Sequence, residues 1–508
     1  MLAMVPSATI VGLDAMPVSV EADVGSGLPS FSIVGLPDAA VQEARERVRA
    51  AIRNSGYDLP PRRIVVNLAP GDRRKEGPAF DLPIALAILI ATGQLRQEPA
   101  RHHLAVGELA LDGSLRPVPG VLAIAEAARA GAARGLFVPE ANAAEAAAID
   151  EVTVYALPTL RAAVEHLEGR RPLTRATRSM PEGALEASSS VDLADVRGQA
   201  AARRALEISA AGDLNLLLIG PPGVGKTMLA HRLRTVLPPL SRQEAIEVTK
   251  IHSVAGLLPP RSGLMWSRPF RAPHHTASAS SIIGGGSHPR PGEVTLAHHG
   301  VLFLDELTLF HLDVLQVLRQ PLEDGCAVVA RAGGVVRLPS RFALVGAMNP
   351  CPCGYRGDPG RECTCTPGQI QRYLARVSGP LLDRIDLHVE VPRPPTAEVL
   401  DGHGAESSRI VRERVTAARE RAARRATVTA QVGGPPRGIL RWGPVEGAAL
   451  ALLRTAAERL LLGARATHRV VRVARTIADL GGSDLVTTSH VAEALQYRVL
   501  DRHVTLPP

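Results

Sequence analysis

The sequence predicts an α/β protein in three parts: an N-terminal α/β domain over residues 1–168, a P-loop α/β core over 191–395 and a helical C-terminal part over 396–508. Three observations carry this. An apolar strand-like run leads into Gly220-Pro-Pro-Gly-Val-Gly-Lys-Thr227, which opens a helix-like run. A second apolar run, Val301-Leu-Phe-Leu304, ends in the adjacent carboxylates Asp305 and Glu306. Beyond Pro395 the apolar residues recur mainly at helical spacing.

Within residues 1–168, strand-like runs (64–68, 103–107) interleave with helical ones (38–55, 121–132). The polar, Pro/Gly/Ser-containing stretch 169–190 reads as a linker. In the core, 215–219 is an expected buried strand and 228–237 a helix, with Leu229, Leu233, Val236 and Leu237 on one face and Pro238 as its stop. In the C-terminal part, a basic helix is expected near 408–425 and amphipathic helices over 445–462 and 467–480.

Gly220, Pro221, Pro222, Gly223, Val224, Gly225, Lys226 and Thr227 have the spacing of a phosphate-binding loop. Its glycines let backbone N–H groups wrap phosphates, Lys226 reaches the β/γ oxygens and the Thr227 hydroxyl binds Mg²⁺. ATP and Mg²⁺ are the cofactors this implies. Asp305, at a strand end, is placed to hold the Mg²⁺ shell, and Glu306 to orient and deprotonate the attacking water. A third apolar run, 342–348, ends at Asn349, whose amide can polarise the same water. Arg384, in Pro380-Leu-Leu-Asp-Arg-Ile-Asp386, suits an arginine finger reaching a neighbouring subunit. Its plain alternative is an ion pair with Asp383 or Asp386.

Composition narrows the partners. Arginines number 55 against three lysines, and one lysine stands in the P-loop. The net charge of +8 is uneven: residues 1–170 carry −4 and the remainder +12. A positive half suits a polyanion, although solubility alone also accounts for it. No targeting or membrane segment is evident, since the longest apolar run, 82–92, is too short to span a bilayer. A cytoplasmic location without membrane association is therefore expected. Five cysteines in a long chain argue against a disulfide framework.

Gly198-Gln199, the P-loop, Asp305-Glu306, Asn349 and Leu382-Asp-Arg384 stand in the order of an AAA+ ATPase. More specific words, among them Arg268-Pro-Phe-Arg-Ala-Pro-His-His-Thr276, Pro291-Gly-Glu293 and Asn349-Pro-Cys-Pro-Cys-Gly354, resemble the magnesium-chelatase-like YifB/ComM proteins over essentially the whole chain. The resemblance implies an ATP-driven hexameric ring, with nucleotide- or DNA-dependent assembly left open, and DNA branch migration in natural transformation. It places Gln199 at the nucleotide and Arg465 at the sensor-2 position of a helical lid, with Arg469 as a nearby competitor.

Gly107 to Gly120 and Gly135 to Glu140 resemble the Lon (S5-type) proteolytic domain. Lon chemistry needs a serine activated by a lysine, and the matching positions are Ala79 and Leu122. The resemblance therefore implies a pseudo-protease scaffold without peptidase activity.

For the ring's substrate, residues 327–338 read as a β-hairpin turning at Gly333-Gly334, with Arg331 and Arg337 flanking the turn. In the related helicases such a hairpin touches DNA, so Arg331 and Arg337 are the first candidates for phosphate contact and Arg268, Arg271 and Arg290 the second. A solvated charged hairpin is the bland alternative. Single-stranded, duplex and branched DNA all remain open, and a chelatase-type remodeller driving a protein partner is the competing reading. Cys351, Cys353, Cys363 and Cys365 could hold a structural Zn²⁺, although Cys-x-Cys is tighter than the usual knuckle and a redox pair is the alternative. Cys326 is expected in the core. The doublets His274-His275 and His298-His299 are expected to be hydrogen-bonded loop residues.

Overall fold

A computed structural model describes residues 2–131, 133–177, 191–285, 290–331, 334–377, 379–395, 398, 406–431, 442–498 and 500. Residues 178–190 of the expected linker, Gly333 at the hairpin turn and the side chain of Arg331 lie outside the described residues. The chain divides into two compact units, 1–184 with 241–266, and 185–240 with 267–508.

In the first unit, strands Leu2–Val11, Asp14–Gly25, Arg63–Ala69 and Ser30–Val34 form a four-stranded sheet in that spatial order. The first two pairings are antiparallel and the last parallel. Helix Asp81–Ala91 packs on the first two strands and is buried all round, as its unbroken apolar sequence requires. Its six leucines and isoleucines are at most 1% exposed, so truncating one to alanine costs about 2–5 kcal/mol. Helix Ala39–Asn54 starts where the Asp38 carboxylate accepts from Val41 N, and it buries Val41, Ala44, Val48 and Ile52 at helical spacing. A parallel sheet of His103–Ala105, Gly135–Pro139 and Val154–Leu157 completes the α/β unit. The expected linker begins later than its composition suggests. Leu173 N donates to His166 Nδ1 at 2.9 Å, and Arg175 bridges to Tyr155.

The segment 241–266 interrupts the core in sequence and groups with this first unit, which its position between core motifs does not reveal. Its helix Arg242–Val254 opens on a Ser241/Glu244 capping box. Lys250 reaches Asp14 at 2.7 Å and Glu126 at 2.8 Å, while the Ser253 hydroxyl accepts from Gly120 N at 3.0 Å.

The second unit is built on a five-stranded parallel sheet in the order Phe270–Arg271, Val301–Leu304, Ala343–Met348, Leu216–Ile219, Leu387–Glu390. The three central strands are apolar and buried throughout, as a sheet covered on both faces demands. Helices Ser408–Gln431, Gly447–Arg459, Ala464–Leu480 and Thr488–Gln496 share one hydrophobic cluster with the sheet and the helix Lys226–Val236. Among the described residues no helix is long and apolar enough to cross a membrane.

Candidate nucleotide-hydrolysis site

The strand Leu216–Ile219 lies between Ala343–Met348 and Leu387–Glu390, and its last residue is in register with Met348. Chain order reverses at this point of the sheet, so the carboxyl ends of the strands frame a crevice. The chain leaves at Gly220 and enters the helix Lys226–Val236, whose N-terminal N–H groups face the loop. Gly223 holds φ +79° and nothing lies within 4 Å of where its Cβ would be. The loop is therefore an open cradle of backbone, and its shape fits a polyphosphate.

Side chains converge here from the first turn of the helix Lys226–Val236 and from the ends of the strands Val301–Leu304 and Ala343–Met348. Lys226 Nζ donates to the carbonyls of Gly220 at 2.6 Å and Pro221 at 2.8 Å, and to Asn349 Oδ1 at 3.0 Å. Burial lowers its pKa, against the pull of Asp305 and Glu306. The Thr227 hydroxyl donates to Asp305 Oδ2 at 2.7 Å. This hydroxyl and carboxylate are hard oxygen donors on one side of the cradle, which fits Mg²⁺. Glu306 N donates to Asp305 Oδ1 at 2.9 Å, and Glu306 itself stands at φ 51°. A left-handed non-glycine residue costs about 1–3 kcal/mol.

Sequence reasoning missed His275, whose Nδ1 lies 3.8 Å from Glu306 Oε2. The only signal was the His doublet, read as structural. His274 does bond locally, to Thr276 Oγ1 at 2.8 Å, and His298 Nδ1 accepts from Arg341 N at 3.0 Å. Gln199, at φ 57°, donates from Nε2 to Val224 O at 3.0 Å and Pro392 O at 3.3 Å. Its Oε1 is buried with no partner among the described residues, and Gln199 lines a cavity of 200 Å³ with Pro392 and Pro394. An orphan acceptor beside the phosphate cradle fits a purine amino group.

Arg384 and Arg465 are not placed with these groups. Both line a 280 Å³ cavity with Glu323, Asp386, Arg469 and Arg472. Arg384 is buried and bonds Glu323 and Pro380 O, so its ion-pair partner is neither Asp383 nor Asp386. Glu323 belongs to a helix 61 residues away, a distance in sequence that no local pattern bridges. Arg465 is 71% exposed and lies 3.7 Å from the same Glu323. Its competitor Arg469 is committed to the buried Asp386 at 2.8 Å.

The hairpin forms, Cys326–Arg331 against Gly334–Pro339, with Val328 opposite Arg337; Gly334 pairs with Arg331 and lies in the strand rather than at the expected turn. Arg337 is exposed and Cys326 only half-buried rather than in the core. Of the second group of arginines, Arg290 is exposed, but two are engaged within the chain. Arg268 donates to Pro238 O and His299 O, both at 2.7 Å. Arg271 pairs with Glu293 at 2.7 and 2.8 Å.

The four cysteines after Asn349 come together with all Sγ atoms within 4.8 Å of one another. Cys351 to Cys353 is 3.4 Å, and Cys363 lies 3.6 Å from each.

Fold and site together define a P-loop ATPase core of the AAA+ magnesium-chelatase type. Residues 192–399 match the family model of magnesium chelatase, subunit ChlI; residues 20–142 match subunit ChlI of Mg-chelatase, and 405–498 the ChlI C-terminal model. The chain belongs to the YifB/ComM family of magnesium-chelatase-like proteins. It is 44% identical to the uncharacterized protein YifB of Salmonella typhimurium, over 99% of this chain and 98% of that one. To the competence protein ComM of Haemophilus influenzae it is also 44% identical, with the same coverage. A magnesium-chelatase 38 kDa subunit of Acidiphilium rubrum is 30% identical over 40% of this chain and 52% of its own length.

Proposed function

We propose that this protein is a cytoplasmic, ATP-driven hexameric DNA motor that migrates branched DNA during natural transformation. The observation that carries the ATPase part is the meeting of Thr227 with Asp305 and of Lys226 with Asn349. Thr227 and Asp305 would hold a Mg²⁺, which would supply charge neutralisation at the phosphates. Lys226 holds the phosphates, Asn349 fixes the lysine and Glu306 takes the proton of the attacking water. Arg384 and Arg465, gathered at a separate cavity, are read as groups offered to a neighbouring protomer's nucleotide, which makes hydrolysis depend on the ring. The C-terminal helices act as the lid that carries Arg465. Zn²⁺ on the four cysteines is the second metal ion of this reading.

The DNA part is supported by the exposed Arg337 on its hairpin, by the positive charge beyond residue 170 and by the name of the ComM relative. Arg331 and Arg290 extend the same phosphate-binding role. The N-terminal domain is read as a Lon-like scaffold without peptidase chemistry. Its lysines have other duties: Lys75 Nζ bonds Pro70 O and Arg73 O, and Lys250 bonds Asp14 and Glu126. A chelatase-type remodeller acting on a protein is the second reading, favoured by the match to the chelatase subunit.

The test is steady-state ATP hydrolysis with no addition, single-stranded DNA, duplex or a four-way junction, with Glu306→Gln as the control. Stimulation by DNA that fades with salt supports the motor. Turnover indifferent to every DNA, with no DNA binding, overturns it in favour of the remodeller.

A further inference from the structure

The segment between the strand ending at Met348 and Ile370 contains no aliphatic residue larger than proline, and Tyr355 is its one large ring. It cannot be held by a hydrophobic core of its own. The helix that follows, Pro367–Leu374, buries no residue either. Yet this segment connects three parts of the nucleotide site. Asn349 at its start accepts from Lys226. The turn closed by Gly354 N donating to Cys351 O at 3.0 Å rests on the P-loop. A Cβ at Gly354 would sit 2.8 Å from Pro222 Cδ and 3.8 Å from Asn349 Cγ, so the turn touches both. At its far end the Thr308 hydroxyl, two residues beyond Glu306, donates to Tyr373 Oη at 2.9 Å.

Four thiols stand where the missing core should be. Sγ separations of 3.4–3.6 Å are far longer than the ~2.05 Å of a disulfide. They are close to the ~3.8 Å edge of a tetrahedron built from ~2.3 Å Zn–S bonds. The two Cys-x-Cys pairs are unrelated in sequence, and Cys353 N donates to Cys365 Sγ at 3.3 Å, a backbone bond of the sort that orients metal-bound thiolates. Four soft donors with no open position make a closed structural site that favours Zn²⁺ over Mg²⁺ or Ca²⁺.

We infer that Cys351, Cys353, Cys363 and Cys365 bind one Zn²⁺, and that this metal clamps the Cys351–Gly354 turn onto Pro222 and so fixes Asn349 for hydrolysis. The second half rests on the ATPase reading of the site. Zinc touches no reacting atom. The clamp sets Asn349, while Lys226 keeps its bonds to the Gly220 and Pro221 carbonyls, so zinc loss affects turnover more than nucleotide binding.

The full chain, purified without chelator after growth in zinc-replete medium, is analysed for metal and for free thiols. About one Zn²⁺ per chain is expected, and replacement with Co²⁺ alone should give the intense visible bands of a tetrahedral tetrathiolate. Cys363→Ala should lose the metal, and Cys365→His, which keeps a ligand, should retain it. Zinc-free protein with four reactive thiols, or with mapped disulfides, overturns the site. Zinc is then stripped by a zinc-selective chelator in excess Mg²⁺. Turnover should fall about 10- to 100-fold while binding of a fluorescent ATP analogue changes little, and added Zn²⁺ should restore it. Full turnover in the stripped protein overturns the clamp while leaving the ATPase reading intact. One zinc per chain with no ATPase in the holoprotein, with or without DNA, overturns the ATPase reading and the clamp's role in it, and leaves the metal site standing.

Discussion

The Thr227 hydroxyl donates to Asp305 Oδ2 at 2.7 Å, joining residues 78 positions apart, one in the first turn of the helix that follows the strand Leu216–Ile219 and one at the end of Val301–Leu304, two strands that are not neighbours in the sheet. The strand Ala343–Met348 runs between them and brings Asn349 to Lys226. Thr227→Ala should raise the Mg²⁺ needed for half-maximal ATPase by about 10-fold, because one hard ligand is lost while the phosphate cradle is kept. A Mg²⁺ titration of turnover checks this.

Glu306→Gln keeps the shape at the end of its strand and removes the base. Turnover should drop by about 10²–10⁴ with nucleotide affinity retained. Single-turnover hydrolysis beside equilibrium binding separates the two. His275→Ala, which removes the imidazole 3.8 Å from Glu306, should give a smaller loss of turnover.

Arg384 is predicted to act across subunits. Arg384→Ala should lower kcat by about 10³ with little change in nucleotide binding. Mixing it with Lys226→Ala, itself inactive, should restore part of the activity, because an intact P-loop then meets an intact arginine on the neighbouring chain. Absence of any recovery in mixtures that co-assemble would place Arg384's effect within its own chain.

Asp386 is fully buried and accepts from Arg469 at 2.8 Å and from Asn215 N at 2.9 Å. Asp386→Ala strands the Arg469 guanidinium, itself largely withdrawn from water, and should cost about 3–5 kcal/mol of stability. Thermal or denaturant unfolding measures it. The double variant Asp386→Ala/Arg469→Leu should recover part of that loss.

Burial pushes the Glu145 carboxyl up to about 7 from an ordinary 4.5, against the Asn142 and Ser253 hydrogen bonds that favour its charged form. The folded state therefore binds more protons than the unfolded chain between about 4.5 and 7, and stability must decrease as pH rises through that window. Melting temperatures measured across it should fall for the parent protein. Glu145→Gln, which does not titrate, should give a flatter profile, and an unchanged slope would remove Glu145 as its source.

The phosphate loop was legible in the sequence because its chemistry is local: consecutive backbone N–H groups and one lysine make the cradle wherever strand and helix flank it. Asp305, Glu306 and Asn349 were legible for a related reason, since each ends an apolar run whose burial fixes it at the same edge of a parallel sheet. The helices expected from apolar spacing also form, with end shifts such as Lys226–Val236 for the expected 228–237.

Other relationships depended on which surfaces meet, and apolar spacing does not encode that. Arg384 finds Glu323 rather than its neighbouring aspartates because helix packing, not chain proximity, sets the nearest carboxylate. Arg268 and Arg271, free cations on paper, are satisfied by carbonyls and by Glu293. The helix Arg242–Val254 shows an ordinary amphipathic pattern, yet only packing decides that it joins the N-terminal unit. Local residue order was thus enough for the phosphate-loop shape and the carboxylates and amide at the strand ends, which backbone geometry imposes. The tertiary structure alone decided the partners of the arginines and the gathering of the four thiols, because long side chains take their partners from whatever the folded surfaces bring within reach.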